Sequence, residues 1–97
     1  MIIKIHKTED GRTLVAAIDD SLKGTTHIEG DKKLDFTAEF YNGETCPPQE
    51  AGDIIRNADM LNIAGKETIK IAIEEGAITE EQVLKIAGIP YAQAVVE

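Results

Sequence analysis

The sequence predicts an α+β fold: a mainly antiparallel N-terminal sheet, three C-terminal helices packed on one face of it, and a short final strand. Three observations predict it. Two strand-like stretches, 2–8 and 12–19, flank Asp10-Gly11, a dipeptide that favours tight hairpins. Leu34, Phe36, Ala38 and Phe40 alternate with Asp35, Thr37 and Glu39, the period of a strand with one face in water. Beyond Pro47-Pro48 the period changes. Ala51, Ile54, Ile55 and Ala58 fall at i, i+3, i+4 and i+7, one face of a helix. Strands, then helices, then a strand describe a sheet with helices segregated to one side.

Each element has its own warrant. In the first strand Ile3 and Ile5 share a face. In the second, Leu14, Ala16 and Ile18 form one apolar face and Val15 and Ala17 another, so that strand is expected to be central and covered on both sides. Residues 19–24 read as a turn or a single helical turn, and Thr25 to Ile28 as a short strand turned back by Glu29-Gly30-Asp31-Lys32. The alternation at 34–40 reads as a strand closed by Asn42-Gly43. Proline suits a first helical turn, where its missing N–H has no intrahelical partner. Residues 62–65 break the helical period, and Ile69, Ala72 and Ile73 restart it. Gly76 reads as the left-handed cap of that second helix. Thr79-Glu80-Glu81-Gln82 is a capping box, and Val83, Leu84, Ile86 and Ala87 supply the apolar side of a third helix ending at Gly88. Ala92 to Val96 read as a final strand added to an edge of the sheet.

A chain of 97 residues makes a single domain, 1–97, able to bury roughly two-thirds of its unfolded surface without a disulfide or metal. No apolar run approaches the roughly 18 residues of a membrane span. Residues 1–5 are too short and too interrupted for a signal peptide. The single cysteine, Cys46, has no internal partner, and the expected setting is cytoplasmic. Charge is uneven: residues 1–33 are balanced, and the net −8 lies in 34–97. That acidity suits a soluble body and argues against nucleic acid, whose phosphates are held by Lys and Arg.

Most reactive chemistries lack their residues. Cys46, His6 and His27 are far apart, without the spacing of a zinc site. No HExxH, GxSxG or CxxC occurs. Gly65-Lys66-Glu67-Thr68 echoes a phosphate loop, but Met60 stands where that loop needs glycine and Glu67 follows the lysine. Cys46 precedes a helix start, where a thiol pKa can fall. The plainer reading is a small residue filling the cap, as His6 and His27 read as satisfied sheet residues. Residues 65–86 have the spacing of a helix-turn-helix, yet Glu80 and Glu81 would face phosphates, so a plain helical hairpin is expected. No cofactor and no metal is expected.

One constellation remains. Asn62, Gly65 and Lys66 sit at the break between two helices, near a helix N-terminus whose free N–H groups can hold an anion. Tyr91 and Gln93 follow Gly88-Ile89-Pro90, where turn chemistry does not require a tyrosine and a glutamine two residues apart. A returning hairpin would gather Asn62, Gly65, Lys66, Tyr91 and Gln93 into a small polar pocket. The structural alternative is that Asn62 caps the helix and Gln93 satisfies a backbone group.

The order of Leu14-Val15-Ala16-Ala17, Phe40-Tyr41-Asn42-Gly43-Glu44, Asn62-Ile63-Ala64-Gly65 and Gly88-Ile89-Pro90-Tyr91-Ala92-Gln93 resembles a family of short archaeal proteins classed as a domain of unknown function. The resemblance covers nearly the whole chain. It implies an archaeal, cytoplasmic α+β protein and supplies no mechanism. In that pattern His often stands at the position of Tyr91, which argues against a required imidazole there. The expected function is a non-enzymatic binding or adaptor module for a protein partner. The rival is a small enzyme or small-anion binder built on Asn62, Lys66, Tyr91 and Gln93. An exposed final strand would also leave a sheet edge open for a homodimer.

Overall fold

The computed structural model describes residues 1–96. Its elements are β1 (Ile2–Lys7), β2 (Thr13–Ile18), β3 (Thr26–Glu29), β4 (Lys32–Asp35), β5 (Glu44–Thr45), α1 (Pro48–Arg56), β6 (Met60–Ala64), α2 (Lys66–Glu74), β7 (Leu84–Ile86) and β8 (Ile89–Val95). Short 3₁₀ turns lie at Asp20–Leu22, Glu39–Tyr41 and Glu80–Gln82. Six strands form one sheet in the order β5-β1-β2-β6-β8-β7, while β3 and β4 form a separate hairpin.

The β1–β2 hairpin follows the sequence pattern, with Ile3 opposite Ala17 and Ile5 opposite Val15. Val15, Ala16, Ala17 and Ile18 are all buried, so β2 is covered on both faces as its double apolar pattern requires. The sheet is mixed rather than mainly antiparallel. β2 runs parallel to β6, pairing Ala16 with Asn62 and Ile18 with Ala64. A parallel pair needs a crossover, and residues 19–59 supply it through the β3–β4 hairpin, β5 and α1.

Both helices pack on one face. Ala51 and Ile55 of α1 and Ile69 and Ala72 of α2 share a cluster with Ile3, Val15, Ala17, Leu61, Ile63 and Ala92. On the opposite face Ile2, Ile18 and Ala64 meet Leu22, Leu34, Phe36 and Ile86, with Tyr41 and Tyr91 at the margin. Prolines 47 and 48 open α1 as expected, and Ala51 N–H donates to Pro47 O. α2 ends in a Schellman arrangement: Ala77 N–H donates to Ala72 O and Gly76 N–H to Ile73 O. Among the described residues no helix is long and apolar enough to cross a membrane.

Three expectations are corrected. The strand at 34–40 stops at Asp35, because the Asp35 carboxylate accepts from the backbone N–H and hydroxyl of Thr37 and turns the chain. Leu34 and Phe36 are buried as the alternation required, but Phe40 belongs to a 3₁₀ turn and stacks on His6. The third helix is absent: Thr79 opens one 3₁₀ turn, in which Thr79 N–H donates to Gln82 Oε1, and Leu84–Ile86 are strand β7. Finally, β8 is not an added edge strand. It lies between β6 and β7, paired to both.

The Ala87-Gly88 turn explains the lost helix. Ile86 pairs with Ile89, leaving a two-residue loop with φ of 52° at Ala87 and 78° at Gly88. Positive φ at both central positions is the hairpin pattern whose twist matches the strands. Gly88 therefore turns a hairpin rather than capping a helix. Ala87 adopts this conformation against its own Cβ, so Ala87→Asn is expected to stabilise the protein by about 0.5–1 kcal/mol. A urea midpoint that does not rise would contradict that reading of the turn.

Candidate functional site

The sheet keeps Asn62, Tyr91, Gln93 and Gly65 together and separates Lys66 from them. Asn62 is not in a helix break; it stands in the middle of β6, directly opposite Gln93 of β8. Tyr91 is paired with Ala64, two positions along the same face. Asn62, Gln93 and Tyr91 therefore share one sheet face, because positions two apart on a strand point the same way. Gly65 donates its N–H to Pro90 O, so it lies beside this group through its backbone. Lys66 opens α2 on the helix side and joins Lys70, Lys85, Glu74 and Glu80 around a different cavity.

The helix N-terminus is already filled. Asp19 follows the last residue of β2, and Gly65 follows the last residue of β6. Parallel register, with Ile18 opposite Ala64, puts the two side by side. The Asp19 carboxylate accepts from Glu67 N–H at 3.1 Å, Thr68 N–H at 2.8 Å and Thr68 Oγ1–H at 2.7 Å. These are the unpaired amides that an external anion would use. The expected anion site is thus occupied by the protein's own carboxylate. Gly65 allows this contact: its φ is 107°, and a Cβ there would stand 2.5 Å from Asp19 Oδ1. Asp19 was missing from the sequence expectation, which read it only as part of a turn. Its one legible signal was an acid directly after the apolar run Leu14–Ile18.

Around Asn62 the polar geometry is set by a residue outside the expected group. Tyr41 donates its hydroxyl to Asn62 Oδ1 at 2.7 Å. Burial pushes the Tyr41 pKa to about 12, with Tyr91 adding to the rise, so Tyr41 stays a donor across the neutral range. Accepting from Tyr41 fixes which branch of the Asn62 amide is oxygen. Leu14, Met60, Asn62, Gln93 and Val95 line an open cavity of about 380 Å³ on this face. Burial also raises the Tyr91 phenol. Such a face offers amide donors and acceptors to a neutral polar ligand, and no group there is poised to move a proton near neutrality.

The thiol and both imidazoles have contacts within the fold. Cys46 is buried, and burial first, then the neighbouring Glu50, pushes its thiol up, opposite to helix-start activation. His6 stacks on Phe40 at 4.5 Å, with Nε2 3.0 Å from Phe40 O. His27 Nε2 lies 2.9 Å from Thr25 Oγ1. Among the described residues no group of three or more His, Cys, Asp or Glu side chains is placed to hold a metal ion.

A second surface was not foreseen. β5 pairs only with Ile2 and Ile3, so β1 has no partner strand on its outer side beyond them. Cys46 N–H donates to Met1 O, and Thr8 N–H donates to Arg12 O across the hairpin. By antiparallel alternation, the odd residues Ile5 and Lys7 turn their backbone groups outward. The Ile5 side chain is 51% exposed. It lines two adjoining cavities, of about 310 and 470 Å³, that share Ile5 and Ile54. Val15 and Ala58 line the first and Ile3 the second, while Asp53, Glu50 and Glu44 stand at the rim.

Comparison with solved structures finds an uncharacterised conserved protein from Methanopyrus kandleri, at a TM-score of 0.84 and 23% identity, covering 98% of this chain and 90% of that one. At that identity the likeness concerns the fold. Among proteins with curated descriptions none matches. The family model described as "Protein of unknown function (DUF424)" matches residues 6–96, nearly the whole chain, and the protein therefore belongs to the DUF424 family.

Proposed function

We propose that the protein is a non-enzymatic binding module that takes an extended, basic segment of a partner protein along the open edge of β1. The observation that carries this reading is Ile5: a half-exposed aliphatic side chain on an unpaired edge, with an apolar groove beside it. Strand addition gives affinity through main-chain hydrogen bonds and specificity through pockets for alternate side chains. Ile3, Ile54, Val15 and Ala58 offer such pockets. Glu44 and Glu50 on the rim, in a chain of net charge −8, favour lysine or arginine in the incoming strand, whereas Asp53 is already paired with Arg56. Lys4 and Lys7 on the same strand disfavour indiscriminate edge pairing. The same charge opposes a homodimer at this edge, since it would bring together two acidic bodies.

A peptide alternating valine and lysine is expected to bind with a Kd in the range of about 10–100 μM, the weak end of specific recognition. The valine–glutamate counterpart should not bind. Ile5→Lys should weaken the valine–lysine peptide at least tenfold, which is about 1.4 kcal/mol, and leave folding stability within roughly 0.5 kcal/mol. Fluorescence anisotropy reads both. Equal binding of the acidic peptide, or an unaffected Ile5→Lys variant, sinks the proposal. Sedimentation would reveal a second copy as the occupant instead.

The second reading is a small polar ligand near Asn62, Gly65, Lys66, Tyr91 and Gln93. Its support is the facing of Asn62 and Gln93 and the orientation that Tyr41 imposes. Lys66 lines a different cavity and adds nothing to that pair. A cytoplasmic setting suits a chain whose single cysteine has no internal disulfide partner.

A further inference from the structure

We propose that the cleft between α2 and the β7–β8 hairpin binds a small anion that carries an apolar body, a phosphate monoester or a carboxylate. Residues 34–97 contain only four basic side chains: Arg56, Lys66, Lys70 and Lys85. Arg56 is committed to Asp53 and Glu75 at 2.6 and 2.5 Å. The other three all line one cavity of about 400 Å³. None of them makes an ion pair among the described residues. In the acidic two-thirds of the chain, every basic group left uncommitted is thus gathered at one place.

Glu74, one helical turn from Lys70, and Glu80 offset only part of the charge gathered here. Lys66 and Lys70 are one helical turn apart on α2, where like charges repel by a few tenths of a kcal/mol. Lys85 approaches from β7, where it stands opposite Pro90 of β8. Three ammonium groups around one opening form a focus for negative charge. Lysines hold an anion as point charges rather than by the planar fork of arginine, which suits phosphate and carboxylate alike. The walls are apolar, formed by Ile69, Ile73 and Pro90, so the cleft has room and contacts for an uncharged body beside the anion. Glu74 and Glu80 on the same rim leave a net charge of one positive unit there, which suits a single anionic group rather than a polyphosphate. The amides at the start of α2 take no part, since Asp19 holds them. This site is separate from the β1 edge, and either can fail without the other.

The test is an amide chemical-shift titration of the full chain with 1-naphthyl phosphate, 1-naphthoate and the uncharged 1-naphthol. The two anions should saturate, with shifts concentrated in residues 66–74 and 84–89, and naphthol should bind at least tenfold more weakly. Their relative affinity identifies the preferred anion. Lys66→Gln/Lys70→Gln/Lys85→Gln should lose at least tenfold in affinity with the rest of the spectrum unchanged, because all three side chains are exposed. Lys70→Gln alone should lose a smaller share. Absence of saturation by about 10 mM, well beyond useful affinity, overturns the proposal. So do equal binding of naphthol, shifts located elsewhere, or a triple variant that binds like the parent.

Discussion

Gly65→Ala is expected to destabilise the protein by about 3 kcal/mol or more, through two costs that add. The backbone at Gly65 has φ of 107°, which an L side chain adopts at a cost of about 1–3 kcal/mol. The new Cβ would also meet the Asp19 carboxylate, 2.5 Å from Oδ1 and 2.6 Å from Oδ2. Asp19 would have to leave the amides of Glu67 and Thr68 and the Thr68 hydroxyl. Thr68 is fully buried at 0% exposure, so its hydroxyl would lose its partner away from water, at about 1–3 kcal/mol. Asp19→Ala alone should cost about 2 kcal/mol by the same loss. The double variant separates the two causes. With the carboxylate already removed, Gly65→Ala retains only the backbone cost, and the two changes should sum to at least 1 kcal/mol more than the pair together. Urea denaturation measures all three. Additivity within about 0.5 kcal/mol would mean that Asp19 and Gly65 are not coupled.

The same contact explains how the sequence reading of the site went astray. It recognised a glycine followed by a helix as an anion-binding device, and the device is present. What it lacked was the parallel pairing of β2 with β6, which brings Asp19 from 46 positions upstream of Gly65 into the cradle. Asn62 and Gln93 were expected to converge and do face each other, although as cross-strand neighbours rather than around a helix cap. Tyr41, which orients Asn62, could not have been found by spacing, because it lies in a 3₁₀ turn reached only by tertiary packing. The Lys66, Lys70 and Lys85 cluster had a sequence signal in the scarcity of basic residues after position 33, but only the β7–β8 hairpin brings Lys85 to α2.

Local signals were reliable where one element decided the outcome. The Asp10-Gly11 hairpin, the double-faced β2, the proline start of α1 and the Gly76 end of α2 each depend on residues within a few positions of one another. They failed where a short segment had two compatible fates. Val83, Leu84, Ile86 and Ala87 fit one side of a helix, yet three residues of this stretch gain a partner strand once Ala87-Gly88 turns the chain. Residues 62–65 look like an interruption because Asn62 breaks the helical period, when the relevant period over Met60–Ala64 is two. Leu61 and Ile63 face the helices, and Asn62 faces the other way.

Ile63→Ala should therefore cost about 4 kcal/mol, near the upper part of the range for large-to-small core changes. The row of residues across the helix-facing side of the sheet is Ile3, Ala17, Ile63 and Ala92, large and small side chains in alternation. Ile63 has 0% exposure and is the bulk between two alanines. Truncation would leave three alanines in succession, with Ile69 and Ala72 of α2 above them in the same cluster. Strand backbones fixed by pairing on both sides cannot move in to fill such a gap, so the cavity term remains almost whole. Ile63→Val removes one methyl group and should cost about 1 kcal/mol. Ile71→Ala is the contrast, since that side chain is only partly buried at the margin of the cluster, and it should cost about 1 kcal/mol. Were residues 62–65 a loop between two helices, Ile63→Ala would cost no more than Ile71→Ala, because a loop relaxes around a lost side chain. A measured difference below about 1 kcal/mol between these two variants would remove β6 from the centre of the sheet, and with it the parallel pairing that carries Asp19 to the start of α2.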